Sequence, residues 1–470
     1  MAVGTPTSPR GGAKSRRGAK SRVPAPRVWG LRSGDVIAAI AFNAVLIVGM
    51  WLRHGGLDSL GGPSAKLTAL GQVTALLGTY AALVQIVLMT RSPWLEQLFG
   101  LDRLAHWHRW LGFGVTWAIL AHVVFTTVGY ALGDGSSVAA EAGKLLTTFP
   151  YVLMATVGTA LLMMVAIASI RAARRRLAYE TWHFIHLYAY LAIALSFGHI
   201  LAVGTDFSND ALARWYWIAL YVVVLALVIA FRFGHPIRLT LHHHLRVSRV
   251  VEEAPGVVSV YITGHDLRNL RSRAGQFFIW RFLTRDRWWQ GHPFSLSAAP
   301  NGEYLRLTVK DVGDGSAAVR TVVPGTAVGI EGPYGVFTTM RRRQGRVLLI
   351  AGGIGITPIR ALLEEMPSGK GNVVLIYRAR SWEEVVFRGE LEDLIAERQG
   401  ILHYMVGTRG ATDLPPNPFS AKSLRGLVAD VERRDVYICG AGRMIRELHE
   451  SLSELGVPDE QIHYERFALL

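Results

Sequence analysis

Two apolar stretches each carry a pair of histidines, and their spacing constrains this chain more than any other feature. One reads WHRWLGFGVTWAILAHVVF and holds His108 and His122; the other reads WHFIHLYAYLAIALSFGHIL and holds His186 and His199. The spacings are 14 and 13 residues, close to four turns at about 3.6 residues per turn, so both histidines of a helix fall on one face, roughly 20 Å apart along the axis. Two such helices side by side place four imidazoles as two facing pairs, one above the other. A lone histidine in an apolar helix can simply hydrogen-bond a neighbour. Four at matched spacing are hard to explain as packing, because ionisable groups in lipid are costly. Paired imidazoles between helices are a way to hold haem iron, and two stacked haems are the expectation here. His106 and His183 break the matched spacing and read as interfacial groups or as neighbours of haem propionates, with Arg109 a further candidate for that role.

Six apolar stretches, at about 36–52, 68–90, 108–130, 150–170, 182–203 and 214–231, approach the ~20 residues that cross a bilayer. Eighteen Lys and Arg lie in residues 1–35, 91–110, 171–180 and 231–246, against four in the segments 53–67, 131–150 and 203–214. Positive residues stay inside, so the N-terminus and everything after residue 231 are expected in the cytoplasm. His108 and His186 then form the inner pair, and His122 and His199 the outer pair. The Gly/Ser/Pro-rich basic segment 1–34 reads as a disordered tail that can lie on anionic lipid or simply set topology; a cleaved signal peptide is the competing reading, and the first span is expected to be uncleaved.

This distribution also explains the net charge of +15 without nucleic acid as a partner. The single cysteine, Cys439, excludes a disulfide framework and a cysteine-ligated iron–sulfur cluster. A redox centre must therefore be flavin, haem or another non-thiolate group.

From about residue 245 the pattern changes to short β-branched runs divided by Gly and Pro, VSRVVEEAPGVVSVYITG, AGQFFIWRFL and EYLRLTVKDV, which read as antiparallel strands of a small barrel. HPFSLSAAP between them offers His292, Pro293, Phe294 and Ser295: an aromatic to stack on a flat ring and a hydroxyl to bond its edge. VGDGSAAV presents Gly313, Gly315 and Ser316 before a helical run, a turn whose amides can hold a pyrophosphate. EGPYG closes the region with a tight turn. VLLIAGGIGITPIRALLEEM is then a strand, a Gly-rich loop (Gly352, Gly353, Gly355, Thr357) and a helix, a nucleotide-binding unit. The next strand ends in Arg378-Ala379-Arg380; arginine rather than a carboxylate there favours the 2′-phosphate of NADPH. A third strand, DVYICG, ends at Cys439 and Gly440 before Met444, and the chain finishes HYERFALL.

The His pairs, HPFSLS, GPYG, AGGIGITP, YRAR, CGAG and ERF, in this order, resemble the ferredoxin–NADP reductase superfamily fused behind a ferric-reductase-like haem domain. This is the architecture of ferric reductases and NADPH oxidases, and the resemblance spans roughly residues 35–470. It implies a multi-domain chain: a six-helix transmembrane haem bundle over 35–232, an FAD-binding antiparallel β-barrel over 240–340, and an α/β NADPH-binding domain over 345–470. It implies FAD, NADPH and two haems b as cofactors. His108, His122, His186 and His199 would ligate the haems. Phe294 would lie against the isoalloxazine and Ser295 near its reactive nitrogen, with His292 in the same motif. Gly315 and Ser316 would bind the flavin pyrophosphate; Gly352, Gly353, Gly355 and Thr357 the NADPH phosphates; Arg378 and Arg380 the 2′-phosphate. Cys439 and Gly440 would adjoin the nicotinamide, and Phe467 would cover the flavin. Cys439 as a buried strand-end hydrophobe and Phe467 as an ordinary packed terminus remain open. His292 stands where soluble members often carry arginine, and three residues follow Phe467. No EF-hand precedes the first span, so calcium control is not expected.

The function implied is electron transfer from cytoplasmic NADPH across a cell membrane to an acceptor at the outer face. A ferric chelate, dioxygen giving superoxide, a quinone and a periplasmic redox protein all remain open as acceptors. The rivals are a non-enzymatic cytochrome subunit and a soluble-type reductase with a structural membrane anchor.

Overall fold

The structure is a computed structural model that describes residues 31–56, 61–177, 179–203, 210–311, 313, 319–408 and 417–466. Residues 1–30 of the expected tail, Gly315, Ser316 and Phe467 lie outside those residues; the end of the tail expected at residue 34 is corrected, because Ser33 and Gly34 already belong to the first helix.

Six helices are long and apolar enough to cross a membrane. They are α1 (Ser33–Arg53), α2 (Pro63–Leu88), α4 (Leu101–Asp134), α6 (Val152–Ser169), α7 (Tyr179–Val203) and the continuous helix that begins as α8 (Ala211–Val228). Large apolar side chains such as Trp117, Val45 and Leu212 point outward at 70%, 69% and 69% exposure, the surface expected of helices solvated by lipid. Short helices that hydropathy does not announce sit between spans: α3 (Pro93–Phe99), α5 (Val138–Thr148) and a single turn at Arg171–Arg174.

Helix α2 lies tightly along α4 because small residues line the seam. A Cβ on Gly78 would come within 3.0 Å of the Ala118 methyl, and one on Gly71 within 2.4 Å of Thr126 Oγ1. Helices α6 and α7 approach in the same way at Gly158, where a Cβ would be 2.8 Å from the Ala192 carbonyl.

The sequence places the sixth span at 214–231, but the helix does not stop there. It passes through one π-helical turn, Ile229–Gly234, and continues as α9 (His235–His243). Pro236 follows just after the π-turn; it has no N–H to return to that turn, and the ladder is irregular there. The third span also starts earlier than expected, at Leu101, straight after the left-handed Gly100 (φ 80°).

Helix α9 delivers the chain into two three-stranded antiparallel sheets, β1-β2-β5 and β4-β3-β6. These are β1 (Arg246–Ala254), β2 (Val257–Thr263), β3 (Phe277–Phe282), β4 (His292–Ser295), β5 (Leu305–Lys310) and β6 (Val328–Tyr334). Bridges at Leu296–Leu307 and Arg246–Ala327 join them into a small barrel. Phe278, Trp280, Val260, Ile262 and Leu307 fill it, each fully buried.

The last domain is a five-stranded parallel sheet in the order β11-β10-β7-β8-β9, with β7 (Arg346–Gly352), β8 (Val373–Ala379), β9 (Ile401–Val406), β10 (Arg434–Gly440) and β11 (Ile462–Arg466). Both faces are covered, so β7 and β8 read as unbroken apolar runs rather than alternating ones. Strand order reverses between β7 and β10, and the crevice at their carboxyl ends is where open α/β sheets bind ligands. The barrel is pinned to this domain by Arg306, which is 2% exposed and sends both terminal nitrogens to the Glu390 carboxylate at 2.9 and 3.0 Å.

Candidate functional site

The bundle brings the four histidines together in the two pairs the spacing predicts. The ring centres of His108 and His186 are 5.8 Å apart, and those of His122 and His199 are 6.4 Å apart. An imidazole nitrogen binds a transition metal at about 2 Å, so two imidazoles on opposite sides of one iron have centres about 6 Å apart. Both pairs fit that separation. Each supplies only two ligands, and among the described residues no cluster of three or more His, Cys, Asp or Glu could hold a bare metal ion. The donor set therefore suits a metal whose other ligands come from a macrocycle.

The two histidines of α4 are oriented by α2. His108 Nδ1 is 3.1 Å from the Gln85 carbonyl and His122 Nδ1 is 3.0 Å from the Gly71 carbonyl. A carbonyl only accepts, so each Nδ1 carries the proton and leaves the Nε2 lone pair to face the opposite helix. Thr126 Oγ1 adds a contact of 3.3 Å to His122 Nδ1. The Nδ1 atoms of His186 and His199 are buried and have no such bond among the described residues. Sequence reasoning finds the histidines but not their anchors, because a backbone carbonyl leaves no residue-type signal. His106 and Arg109 are exposed at the foot of α4, and His183 is half-buried at the foot of α7.

In the barrel, HPFS forms β4 itself. Phe294 pairs with Phe278 and Ser295 with Phe277 across β3. The rings of His292 and Phe294 stack, 5.9 Å apart and 15° from parallel, and Trp280 Nε1 donates to the Phe294 carbonyl at 2.9 Å. Pro293 is exposed and Ser295 is 6% exposed. A flat stacking edge is thus fixed by the strand register. Beside it a cavity of about 190 Å³ is lined by Phe282, Arg287, His292, Thr321 and Val322 among others. Burial, with Arg281 and Arg287 nearby, lowers the pKa of His292 and so favours its neutral form.

The nucleotide loop is built from what side chains leave out. A Cβ on Gly352 would sit 2.5 Å from the Met444 sulfur, and one on Gly355 would sit 2.3 Å from the Cys439 carbonyl oxygen. Gly353 is left-handed at φ 55°, a conformation that costs glycine nothing. The ends of β7 and β10 therefore close on one another, bringing Gly352, Gly355, Cys439 and Gly440 to the switch point. Thr357 is buried and donates to the Ile354 carbonyl at 3.0 Å. Cys439 is fully buried, and burial raises its pKa, so it stands here as a neutral thiol. Arg378 and Arg380 part company: Arg378 folds back onto the carbonyls of Ala379 and Met405, the latter at 3.0 Å, whereas Arg380 is exposed at the strand end.

Comparison with known proteins assigns the same three modules. Residues 74–197 match the ferric reductase like transmembrane component, residues 249–338 an FAD-binding domain, and residues 349–450 an oxidoreductase NAD-binding domain. The chain is 32% identical over 239 residues to the ferredoxin reductase component of 3-ketosteroid-9-alpha-monooxygenase from Mycolicibacterium smegmatis, covering 48% of this chain and 65% of that protein. It is 30% identical over 240 residues to a flavohemoprotein from Chromobacterium violaceum, covering 47% and 59%. This chain thus spans just under two thirds of these relatives' length. The FAD/NAD binding domain of a nitric oxide dioxygenase from Vibrio cholerae O1 biovar El Tor aligns at 24% identity and a TM-score of 0.39, over 48% of this chain and 98% of that one. The chain is a multi-pass membrane protein that carries the domains of an NAD(P)H-dependent oxidoreductase, a ferric-reductase-like transmembrane component fused to FAD-binding and NAD-binding domains of the ferredoxin-reductase type.

Proposed function

We propose that this chain moves electrons from NADPH in the cytoplasm across the cell membrane to an acceptor at its outer face, using FAD and two haems b. The observation that carries the reading is the stack of two facing histidine pairs, each at the separation two axial imidazoles need, fused to a flavin and nicotinamide module. The charge asymmetry of the loops supports the orientation. Arginines at the end of β8, with Arg380 exposed, support NADPH over NADH.

When bound, NADPH supplies a hydride, FAD turns an electron pair into single electrons, and the haems relay them. The chain's own residues position and tune. His108 and His186 would hold the inner haem, and His122 and His199 the outer one. With two histidine ligands apiece these groups would serve to relay electrons rather than to bind oxygen. Phe294 presents a flat face to the flavin and Ser295 lies beside its reactive edge, with Gly315 and Ser316 assigned to its pyrophosphate and Phe467 to its outer face. Gly352, Gly353, Gly355 and Thr357 would let the NADPH pyrophosphate approach the backbone, the exposed Arg380 would serve the 2′-phosphate, joined by Arg378 only if it leaves the Met405 carbonyl, and Cys439 and Gly440 would form the floor beneath the nicotinamide.

The acceptor is a ferric chelate, or dioxygen giving superoxide; a quinone or a periplasmic redox protein is the alternative. The deciding experiment is anaerobic. NADPH added to the purified protein should bleach the flavin and then sharpen the haem absorption bands; bleaching of the flavin with the haems left oxidised would rule the linear chain out. Steady-state superoxide and ferrous production, with and without superoxide dismutase, then separates the acceptors.

A further inference from the structure

The two halves of this chain must be held in register, and one buried carboxylate sits where they meet. Glu331 lies in β6 on the EGPYG turn and is 2% exposed. Its Oε1 is 2.9 Å from Arg91 Nη1 and 3.6 Å from Arg232 Nη1, and its Oε2 is 3.2 Å from Arg281 Nη1. The Tyr334 hydroxyl donates to Oε1 at 3.1 Å. Arg91 comes from the connection between α2 and α3, Arg232 from the π-turn at the foot of the sixth span, and Arg281 from β3 of the barrel. Two of the three cations thus belong to the bundle, and the carboxylate belongs to the barrel.

The connection that presents Arg91 is itself held firmly. Arg91 has φ 58°, a left-handed conformation that a non-glycine residue keeps only when its surroundings impose it. Thr90 and Ser92 on either side are 1% and 2% exposed. A second contact grips the same turn four residues on: Glu96 of α3 accepts the Gly335 N–H at 2.8 Å. Gly100 then passes so close that a Cβ would be 3.3 Å from the Val336 side chain.

Exposed ion pairs contribute little, but this one is buried. Removing the carboxylate would take away the one charge that Arg91, Arg232 and Arg281 share and leave their repulsion uncompensated at that point.

We propose that Glu331 is the positioning residue of transmembrane electron transfer, locking the FAD-binding barrel to the underside of the histidine bundle by gathering Arg91 and Arg232 around one barrel carboxylate. The proposal rests on the electron-transfer reading above. A misplacement of about 1 Å far from the reacting groups can cost on the order of 100-fold in rate, and electron transfer between two centres depends steeply on their separation.

The test uses the full chain loaded with FAD and haem in lipid nanodiscs, mixed anaerobically with NADPH in a stopped-flow instrument. Glu331→Gln keeps the side-chain shape and removes the charge. Flavin bleaching and its dependence on NADPH should stay within about two-fold of wild type, while haem reduction slows by about 10-fold or more. Adding Arg91→Gln to Glu331→Gln removes one unbalanced cation and should recover part of the rate. Raising the salt concentration should do the same in the single variant and not in wild type. Without NADPH, amide exchange should rise together in segments 89–100 and 329–336 of Glu331→Gln. Haem reduction at the wild-type rate in that variant overturns the proposal. Loss of flavin bleaching along with the haem phase also overturns it, because Glu331 would then serve the barrel's own fold. Wild-type haems that stay oxidised while the flavin bleaches overturn the electron-transfer reading instead, and amide exchange still reports whether Glu331 joins the halves.

Discussion

The membrane bundle and the nucleotide half make their sites in opposite ways. In the bundle the site is what side chains add: four imidazoles projecting from α4 and α7, two of them oriented by carbonyls of α2. In the nucleotide half the site is what side chains leave out: Gly352 and Gly355 let β7 and β10 close on one another at the sheet's switch point, and Gly353 makes the left-handed turn between them. The difference follows from the solvent. Lipid offers no hydrogen bonds, so a polar group there must be placed and satisfied by the protein itself. A phosphate arrives with its own charge and needs only open amides at a helix start.

The sharpest way to break the comparison is to delete on one side and to add on the other. On the proposed function, His122→Ala removes a haem ligand outright. Haem content per chain should fall from two to one by pyridine haemochrome assay, while flavin bleaching by NADPH persists; loss of both would signal misfolding rather than a missing ligand. Gly355→Ala does the reverse, forcing a Cβ to within 2.3 Å of the Cys439 carbonyl. It should cut kcat/KM for NADPH by about 100-fold and leave both haems in place, read from flavin bleaching against NADPH concentration.

Gly71→Ala tests whether the bundle also depends on a side chain left out. Its Cβ would meet Thr126 Oγ1 at 2.4 Å and displace the carbonyl that orients His122. Losing such an orienting partner typically costs 10–100-fold in metal affinity, so haem retention at the outer pair should fall by about that factor while the inner pair keeps its haem. Equal loss at both pairs would show that the α2–α4 seam, not the carbonyl, is what matters.

The smallest effect belongs to the seam between the two regions. Burial pushes the Glu96 carboxyl from an ordinary 4.5 up to about 8, the Gly335 amide and Arg91 pulling against Glu465 and Glu331. The fold therefore favours the protonated acid. Below pH 4.5 folded and unfolded chains are both protonated and the stability from this group is fully present; it is lost as pH rises toward 8, and is flat beyond. Glu96→Gln should flatten that decline in thermal stability between pH 5 and 8, and an unchanged slope would assign it to another group.

The same contrast explains what the sequence made legible. The histidine pairs could be read because a helical period turns spacing into geometry, and the glycine loop because a strand, a loop and a helix stand next to one another in the chain. The anchors could not. Gln85 and Gly71 act through backbone carbonyls, which every residue carries. Glu331 collects Arg91 and Arg232 from positions 240 and 99 residues away, and nothing local marks either partner. The paired arginines at β8 were legible as a basic strand end, but not that Arg378 would turn back onto its own backbone while Arg380 stays open. The sixth span could be found by its hydropathy but not its length, since α9 mixes histidines and Arg238 with its apolar residues and only Leu239 of them enters the barrel core.

That last helix has a consequence for how the chain can change. From Ala211 to His243 it runs without a loop, an axle with the bundle on one end and the barrel on the other. Each residue of a helix advances the rotation by about 100°. A single insertion in the regular part of this segment would swing the barrel by about 100°, a little over a quarter of a turn, away from Arg91 and Glu96. The count of residues along this axle is therefore fixed by the contacts at its two ends.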